Sequence, residues 1–256
     1  GNLKRMAMAV TECGDVHYAT SRGQTLLMLA AASPSQGAIE AVKFLLEARA
    51  ALEARDEAGW TALHHACRNS NTGIVELFIE RGALLNACTG RGETALILAA
   101  MDGHLDMLRL MIGVKAAVGK RDTLGKTALL HACETGQEDL VKFLLRSSAR
   151  PNVQAGDGTS PLMMAVRKKK KKLLKMLLER HADLGAADSQ GDNVLMHALY
   201  ADSRPMFQHL LDVRVDIDHE NKKGQTALQV SRNLGHSWAS QILADQMGLA
   251  VGAKTA

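Results

Sequence analysis

Glycine recurs at positions 59, 92, 125, 158, 191 and 224, each 33 residues after the last, and an earlier Gly23 lies 36 before Gly59. The blocks that follow these glycines align without further gaps: GQTLLMLA, GWTALHHA, GETALILA, GKTALLHA, GTSPLMMA, GDNVLMHA and GQTALQVS. A period of this length makes each block one supersecondary unit, too small to bury its own apolar face, so neighbouring units must stack into a solenoid. No other feature restricts the fold as tightly.

Each block has a local physical reading. The glycine permits the positive φ of a tight turn. Two residues later stand Thr25, Thr61, Thr94, Thr127, Ser160, Asn193 and Thr226, all side chains whose oxygen can cap a helix N-terminus. A short helix rich in Leu and Ala follows, then a small-residue turn. A second helix comes next, as in IVELFIERG, LDMLRLMIG, LVKFLLRSS, LLKMLLERH and MFQHLLDVR, with apolar residues at helical spacing. The linker back to the next glycine, such as ALLNACTGRG, suits an extended turn or short hairpin. Composition agrees. Four Phe, two Trp and two Tyr are few for 256 residues, and Ala, Leu and Met fill the apolar positions, which favours close-packed helices over β-sandwiches.

These blocks resemble the ankyrin-repeat family, whose motif reads Thr-Pro-Leu-His-x-Ala near the start of the first helix. The nearest matches are Thr61-Ala62-Leu63-His64-His65-Ala66 and Ser160-Pro161-Leu162-Met163-Met164-Ala165, and GALLNA at 82–87 and HADLGA at 181–186 are similar to the family's linker. Ala usually replaces Pro, and the His survives only as His64. The resemblance covers roughly residues 20–246 and implies an all-α solenoid with short hairpin or turn linkers and about seven repeats. The expected divisions are a capping helix or partial repeat over 1–19, repeats over 20–55, 56–88, 89–121, 122–154, 155–187 and 188–220, a capping repeat over 221–246, and a tail over 247–256. Three residues inserted around ASPSQGAI should lengthen one inter-helix turn. Ser231 and Arg232, where interior repeats carry Ala plus a small or apolar residue, suit an outer face with no neighbour.

No run of 18 apolar residues predicts a transmembrane span, and GNLKRMAMAV lacks a signal-peptide pattern. The first residue is Gly1 rather than Met, as expected of a fragment or processed form. Cys13, Cys67, Cys88 and Cys133 form no CxxC pair, which points to free thiols in a reducing, intracellular compartment, cytoplasmic or nuclear.

Catalytic motifs are missing: there is no GxGxxG, Walker-type loop, HExxH, GxSxG or kinase set. Cys67 and Cys133 share one slot two repeats apart, which at ordinary helix spacing separates them by roughly 20 Å and rules out a shared metal or disulfide. His65, His131 and His197 also share one slot, a ladder expected to be structural. No enzyme, cofactor or metal is predicted.

The resemblance implies binding on a concave face built from turn tips and the exposed side of the first helices. The tip slot holds Trp60, Glu93, Lys126, Thr159, Asp192 and Gln225. The helix-end slot holds Arg68-Asn69, Met101-Asp102, Glu134-Thr135, Arg167-Lys168 and Tyr200-Ala201. These slots vary while buried ones stay apolar, so Trp60, Arg68, Asn69, Arg91, Glu93, Met101, Asp102, Lys126, Glu134, Arg167, Lys168, Asp192 and Tyr200 are the expected partner-binding residues. Trp60 and Tyr200 stand out because aromatics and Arg dominate interface energetics, although Trp60 has the alternative of folding back over its neighbouring hairpin. Trp238 is expected to pack the end of the stack.

Net charge of +4 is local. Arg167 to Lys172 and Lys175 supply seven of 31 cations, leaving 24 against 27 anions elsewhere. The repeat register puts Arg167 and Lys168 at the end of a first helix, Lys169 and Lys170 in the Gly-His turn, and Lys171 and Lys172 at the start of the second helix. Lys169 is then expected at a strained positive φ. Three readings of the ridge formed by Lys169, Lys170, Lys171 and Lys172 stand. They are a solvated turn; contact with an acidic or phosphorylated segment; or recognition of nucleic acid, anionic lipid or an import receptor. Nucleic acid is disfavoured because no aromatics interleave. The function expected is a non-catalytic protein-binding scaffold or adaptor, a monomer or a subunit of a larger assembly. The alternatives are a regulatory module of a larger enzyme or channel, and an anionic-ligand binder acting through Arg167–Lys172.

Overall fold

The computed structural model describes residues 15–35 and 37–248. The helix expected over 1–19 lies largely outside the described residues, as do Cys13 and most of the tail. The described chain divides after Thr123 into two compact units. The first holds α1 (Leu26–Ala31), α2 (Ala38–Glu47), α3 (Ala62–Arg68), α4 (Thr72–Glu80), α5 (Ala95–Asp102) and α6 (Leu105–Gly113). The second holds α7 (Ala128–Thr135), α8 (Glu138–Arg146), α9 (Pro161–Arg167), α10 (Lys171–Leu178), α11 (Val194–Tyr200), α12 (Arg204–Asp212), α13 (Ala227–Asn233) and α14 (Ser237–Gln246). Among the described residues there is no sheet, only single antiparallel bridges at turn bases: Ala19 with Thr25, Cys88 with Thr94, and Ala187 with Asn193.

Every first helix begins at its expected cap, with Thr25, Thr61, Thr94, Thr127, Ser160, Asn193 and Thr226 in extended backbone. The Thr94 Oγ1 accepts from the Ile97 amide at 3.3 Å, and Asn193 Oδ1 accepts from the Leu195 and Met196 amides at 3.1 Å each. Pro161 follows Ser160 at the first helical position, where its missing N–H costs nothing. Helices this short do not persist alone in water. Within the first unit α1, α3 and α5 pack in series, as do α2, α4 and α6; within the second, α7, α9, α11 and α13 do the same. Ala66, Ala99, Ala132, Ala165 and Ala198 occupy one fully buried slot, small enough to let first helices approach closely. Ser231 occupies this slot in the last repeat. Contrary to the expected outer face, it is fully buried, donates to the Leu228 carbonyl at 2.8 Å and lies 2.8 Å from the Ser240 hydroxyl. A hydroxyl is tolerated inside because both of its neighbours accept or donate. Arg232 is exposed. Residues 32–37 separate α1 from α2, against 69–71 between α3 and α4, so the insertion does lengthen that turn. Trp238 packs edge-on against Phe207 of α12, with ring centroids 5.2 Å apart.

The turn tips carry the repeat-to-repeat bond. In the first unit the Glu57 amide donates to the Arg22 carbonyl at 3.1 Å, Gly90 to Ala58 at 2.8 Å and Thr123 to Arg91 at 2.9 Å. In the second, Gly156 donates to Leu124 at 2.8 Å, Ser189 to Asp157 at 2.8 Å and Lys222 to Gln190 at 2.9 Å. These bonds give the period its physical cause. Gly59 has φ +76°, and a Cβ there would also stand 2.7 Å from the Gly90 nitrogen. Gly224, in the last repeat, has φ +69° but nothing within 4 Å of a Cβ. Glycine is thus demanded twice in the interior and once at the end.

A second left-handed position follows every first helix after α1. Gly103, Gly136 and Gly235 occupy it with φ 86°, 75° and 73°, while Ser70, Lys169 and Asp202 hold φ 56°, 56° and 44°. The strained lysine is where the register put it. Two stability measurements test these readings by urea denaturation. Gly59→Ala should lose roughly 3 kcal/mol, the sum of φ strain and backbone overlap, and Gly224→Ala only about 1 kcal/mol. Equal losses would show that φ alone sets the period. Lys169→Gly should gain about 0.5–1 kcal/mol by relieving strain, reduced by the freer unfolded chain.

Candidate partner-binding surface

Tip and helix-end residues of the same repeat, eight apart in sequence, turn toward one another. The Arg68 guanidinium lies 5.3 Å from the Trp60 ring centroid, a cation–π contact. Lys126 and Glu134 form an ion pair at 2.7 Å, and the Tyr200 hydroxyl donates to Asp192 Oδ2 at 3.1 Å. Burial raises the Glu134 carboxyl, but the Lys126 hydrogen bond and charge, with His131 and Lys168 beyond, outweigh it and hold the group below its usual value. Burial, then the Asp192 carboxylate, pushes the Tyr200 phenol up to about 12, so it stays a donor at neutral pH.

This pairing corrects the expected exposure of the tip slot. Glu93, Thr159 and Asp192 are buried at 8%, 2% and 6% exposure, and Trp60 is half-buried. The tips lie against the neighbouring tip, which removes water from side chains that the repeat pattern leaves free to vary. Their polar atoms are satisfied: Thr89 Oγ1 donates to Glu93 Oε2 at 3.0 Å, and Asn221 Nδ2 donates to Asp192 Oδ1 at 2.8 Å. In the helix-end slot Arg68, Asn69, Asp102, Arg167, Lys168 and Tyr200 are exposed as expected, whereas Met101 and Glu134 are half-buried. Asn69 turns its amide back to the His65 carbonyl at 2.8 Å.

The first unit contains a groove of about 750 Å³. Six of the expected residues line it: Trp60, Arg68, Arg91, Glu93, Met101 and Asp102. Trp60 and Met101, both half-buried, supply apolar surface over the buried Leu98. Arg68 bridges toward Asp102 at 3.7 Å, and the exposed Arg91 and Arg22 stand at its edge. Sequence reasoning missed Arg22, Gln24, Asp56, Glu57, His65 and Leu98. Arg22 was findable, since it precedes Gly23 as Arg91 precedes Gly92. Lys126, Glu134, Arg167, Lys168, Asp192 and Tyr200 belong to the second unit. No group of three or more side chains able to hold a metal occurs among the described residues.

The histidine ladder ties helices to tips. His65 Nε2 lies 3.1 Å from Asp56 Oδ2 and His197 Nε2 lies 3.0 Å from Asp188 Oδ2. Asp56 and Asp188 in turn accept amides of their own turns, such as Trp60 N to Asp56 Oδ1 at 2.8 Å. His64, with its ring centroid 6.2 Å from Trp60, is fully buried. Its Nδ1 accepts from the Thr61 amide at 3.1 Å, and its Nε2 lies 3.0 Å from the Ala87 carbonyl of the next linker. Those roles require the neutral ring with its proton on Nε2. Burial, opposed by the carbonyl and reinforced by the Arg55 charge, lowers its pKa to about 4. Asn193 makes the equivalent link in the second unit by donating to the Asp216 carbonyl at 3.1 Å. Cys67 and Cys133 are fully buried free thiols, and burial raises both, Cys133 to about 12.

With caps, paired helices and tip ladder in view, the family comparison is decisive: the model for ankyrin repeats matches residues 2–87, 73–155 and 162–255. The chain belongs to the ankyrin-repeat family. Among solved structures it is similar to the ankyrin repeat domain of Bcl-3, described as a unique member of the IkappaB protein family. Identity is 26% and the TM-score 0.72, over 84% of this chain and 97% of that one. No curated protein sequence matches. Ankyrin repeats are typically non-catalytic protein-interaction domains, so this ankyrin-repeat chain is expected to have protein partners. No described helix is long and apolar enough to cross a membrane.

The depressed His64 pKa has a defined consequence. Below pH 6.5 the unfolded chain takes up a proton that the folded chain refuses until about pH 4. Stability is therefore unpenalised above that window and falls as pH drops through it, by up to about 3 kcal/mol for this group. His64→Gln, whose side chain matches Gln229 at the same slot in the last repeat, should flatten urea midpoints between those pH values relative to wild type. An unchanged slope would remove His64 from the acid response.

Proposed function

We propose that the chain is a non-catalytic scaffold or adaptor that binds a partner protein through the groove of its first unit. The observation carrying this reading is the concave surface of about 750 Å³ that gathers Trp60, Leu98 and Met101 between charged edges. Aromatics and Arg in a sheltered pocket supply most interface energy. Trp60, packed at a tilt against His65 with ring centroids 5.1 Å apart and held by Arg68, is ordered before a partner arrives, which reduces the entropy lost on binding. Arg68, Arg91, Met101 and Asp102 provide the surrounding contacts over the buried Glu93, and Tyr200 offers a separate exposed aromatic in the second unit. The likeness to an ankyrin repeat domain of an IkappaB-family protein supports the module reading, in which the chain works within a larger assembly. Cys67, Cys88 and Cys133 are free, which supports an intracellular setting.

A photo-reactive side chain placed at Arg91, with a matching one at the exposed Lys142 on α8 as reference, tests the groove. Position 91 should capture a defined set of proteins that position 142 does not. Trp60→Ala with Met101→Ala should cut that capture by roughly 30-fold, the equivalent of about 2 kcal/mol, while leaving the thermal midpoint within a few degrees. Capture that survives the double substitution sinks the groove assignment.

A further inference from the structure

The lysine-rich turn of the second unit is a cationic strip one repeat wide. All six side chains from Arg167 to Lys172 are exposed, as is Lys175 one turn into α10. The equivalent turns on either side do not continue it. Residues 134–139 read Glu-Thr-Gly-Gln-Glu-Asp and residues 200–205 read Tyr-Ala-Asp-Ser-Arg-Pro. Three lysines reach sideways to these borders. Lys172 Nζ lies 3.4 Å from Glu138 Oε2, Lys169 Nζ lies 3.5 Å from the Asp202 carbonyl, and the Lys170 stem covers Gly136.

The strip works against folding. Lys169 holds φ 56°, Lys170 caps α10 without a side-chain hydrogen bond, and Lys171 and Lys172 fill a first turn that has no acidic residue. Cations there oppose the helix dipole, six adjacent like charges repel, and an exposed pair such as Lys172–Glu138 returns little. Ser70 and Asp202 hold the same left-handed position, so the repulsion among six adjacent cations is what sets this turn apart, and a cluster retained against folding is a feature of sites held for binding.

We propose that the strip from Arg167 to Lys172 docks an extended Asp/Glu-rich segment of a partner protein, laid along the turn between an acidic border at 134–139 and a charge-balanced one, with Asp202 and Arg204, at 200–205. Width decides the class of partner. A bilayer or a duplex presents phosphates across a face far wider than one repeat, and would press them against Glu138, Asp139 and Asp202. A single extended chain, about 5 Å across, is narrower than the roughly 8–10 Å that separates packed helices and so fits within one repeat. Five of the six cations are Lys, point charges suited to single carboxylates, whereas phosphate recognition favours the Arg fork. No ring lies within the strip to stack a nucleotide base.

Fluorescence anisotropy of the 256-residue chain with a labelled octaglutamate peptide at low ionic strength tests the proposal. An octathymidylate and phosphatidylserine vesicles are compared in parallel. The peptide should bind most tightly of the three. Lys169→Ser, Lys170→Ser, Lys171→Ser and Lys172→Ser together should weaken it by at least ~10-fold. Removing the same charge elsewhere, by Lys43→Ser, Lys115→Ser, Lys120→Ser and Lys223→Ser, should change it by less than about twofold. Ser is a good N-cap at position 170, so the first variant should fold, which circular dichroism checks. Glu138→Gln, which frees Lys172 and removes a border charge, should tighten binding about threefold. Equal losses in the two quadruple variants, no response to Glu138→Gln, or tighter binding of the oligonucleotide or vesicles would each overturn it.

Discussion

The hydrogen bond from one turn tip to the next is the interaction on which the rest of this protein depends. Each repeat is a pair of helices of ten residues or fewer, unable to hold itself together in water. Stacking brings the tips so close that a backbone amide meets the carbonyl one repeat back, as Gly90 meets Ala58 at 2.8 Å. That approach leaves no room for a Cβ at Gly59, Gly125, Gly158 or Gly191, where the nearest backbone nitrogen would lie at 2.7 Å. The 33-residue period is the trace in the sequence of a contact between repeats.

The same closeness shapes the candidate binding surface. Three tip residues lie back onto the last turn of their own first helix, giving Trp60–Arg68, Lys126–Glu134 and Asp192–Tyr200, while Glu93 and Thr159 bond within their own turns. A pattern that looks like free variation is a set of matched pairs, one aromatic–cation, one ionic and one hydrogen-bonded. Positions whose chemistry is already paired present fixed shapes to a partner rather than flexible side chains, and in the first unit they form a groove.

Much of the fold was legible because caps, helix faces and the left-handed turn depend on residues within one repeat. The seven caps, the longer turn after α1 and the positive φ of Lys169 follow from register alone. Ser231 was misread because its polarity argued for a surface, while its slot, equivalent to Ala66 and Ala198, argued for the interior; Ser240 and the Leu228 carbonyl decide between them. Glu93 and Asp192 were misread for the related reason that a buried carboxylate is identified by its donors, Thr89 and Asn221. Thr89 lies only four residues before Glu93 in the same turn, whereas Asn221 lies 29 residues from Asp192 in the next repeat, outside the reach of local pattern.

The sequence by itself determined the repeat, the capped helix pair, the small buried Ala slot, the ankyrin-repeat family and the place of the lysine run in an inter-helix turn. Local propensity and periodicity act over a few residues and are written directly in the chain. Only the tertiary structure decided which variable side chains are wet and which are buried, that His64 and Asn193 bridge to the linker leading into the following repeat, and that the lysine strip reaches Glu138 on one side and the Asp202 carbonyl on the other. These depend on distances between residues about 20 to 40 apart in sequence. Such distances are set by how closely neighbouring helix pairs pack.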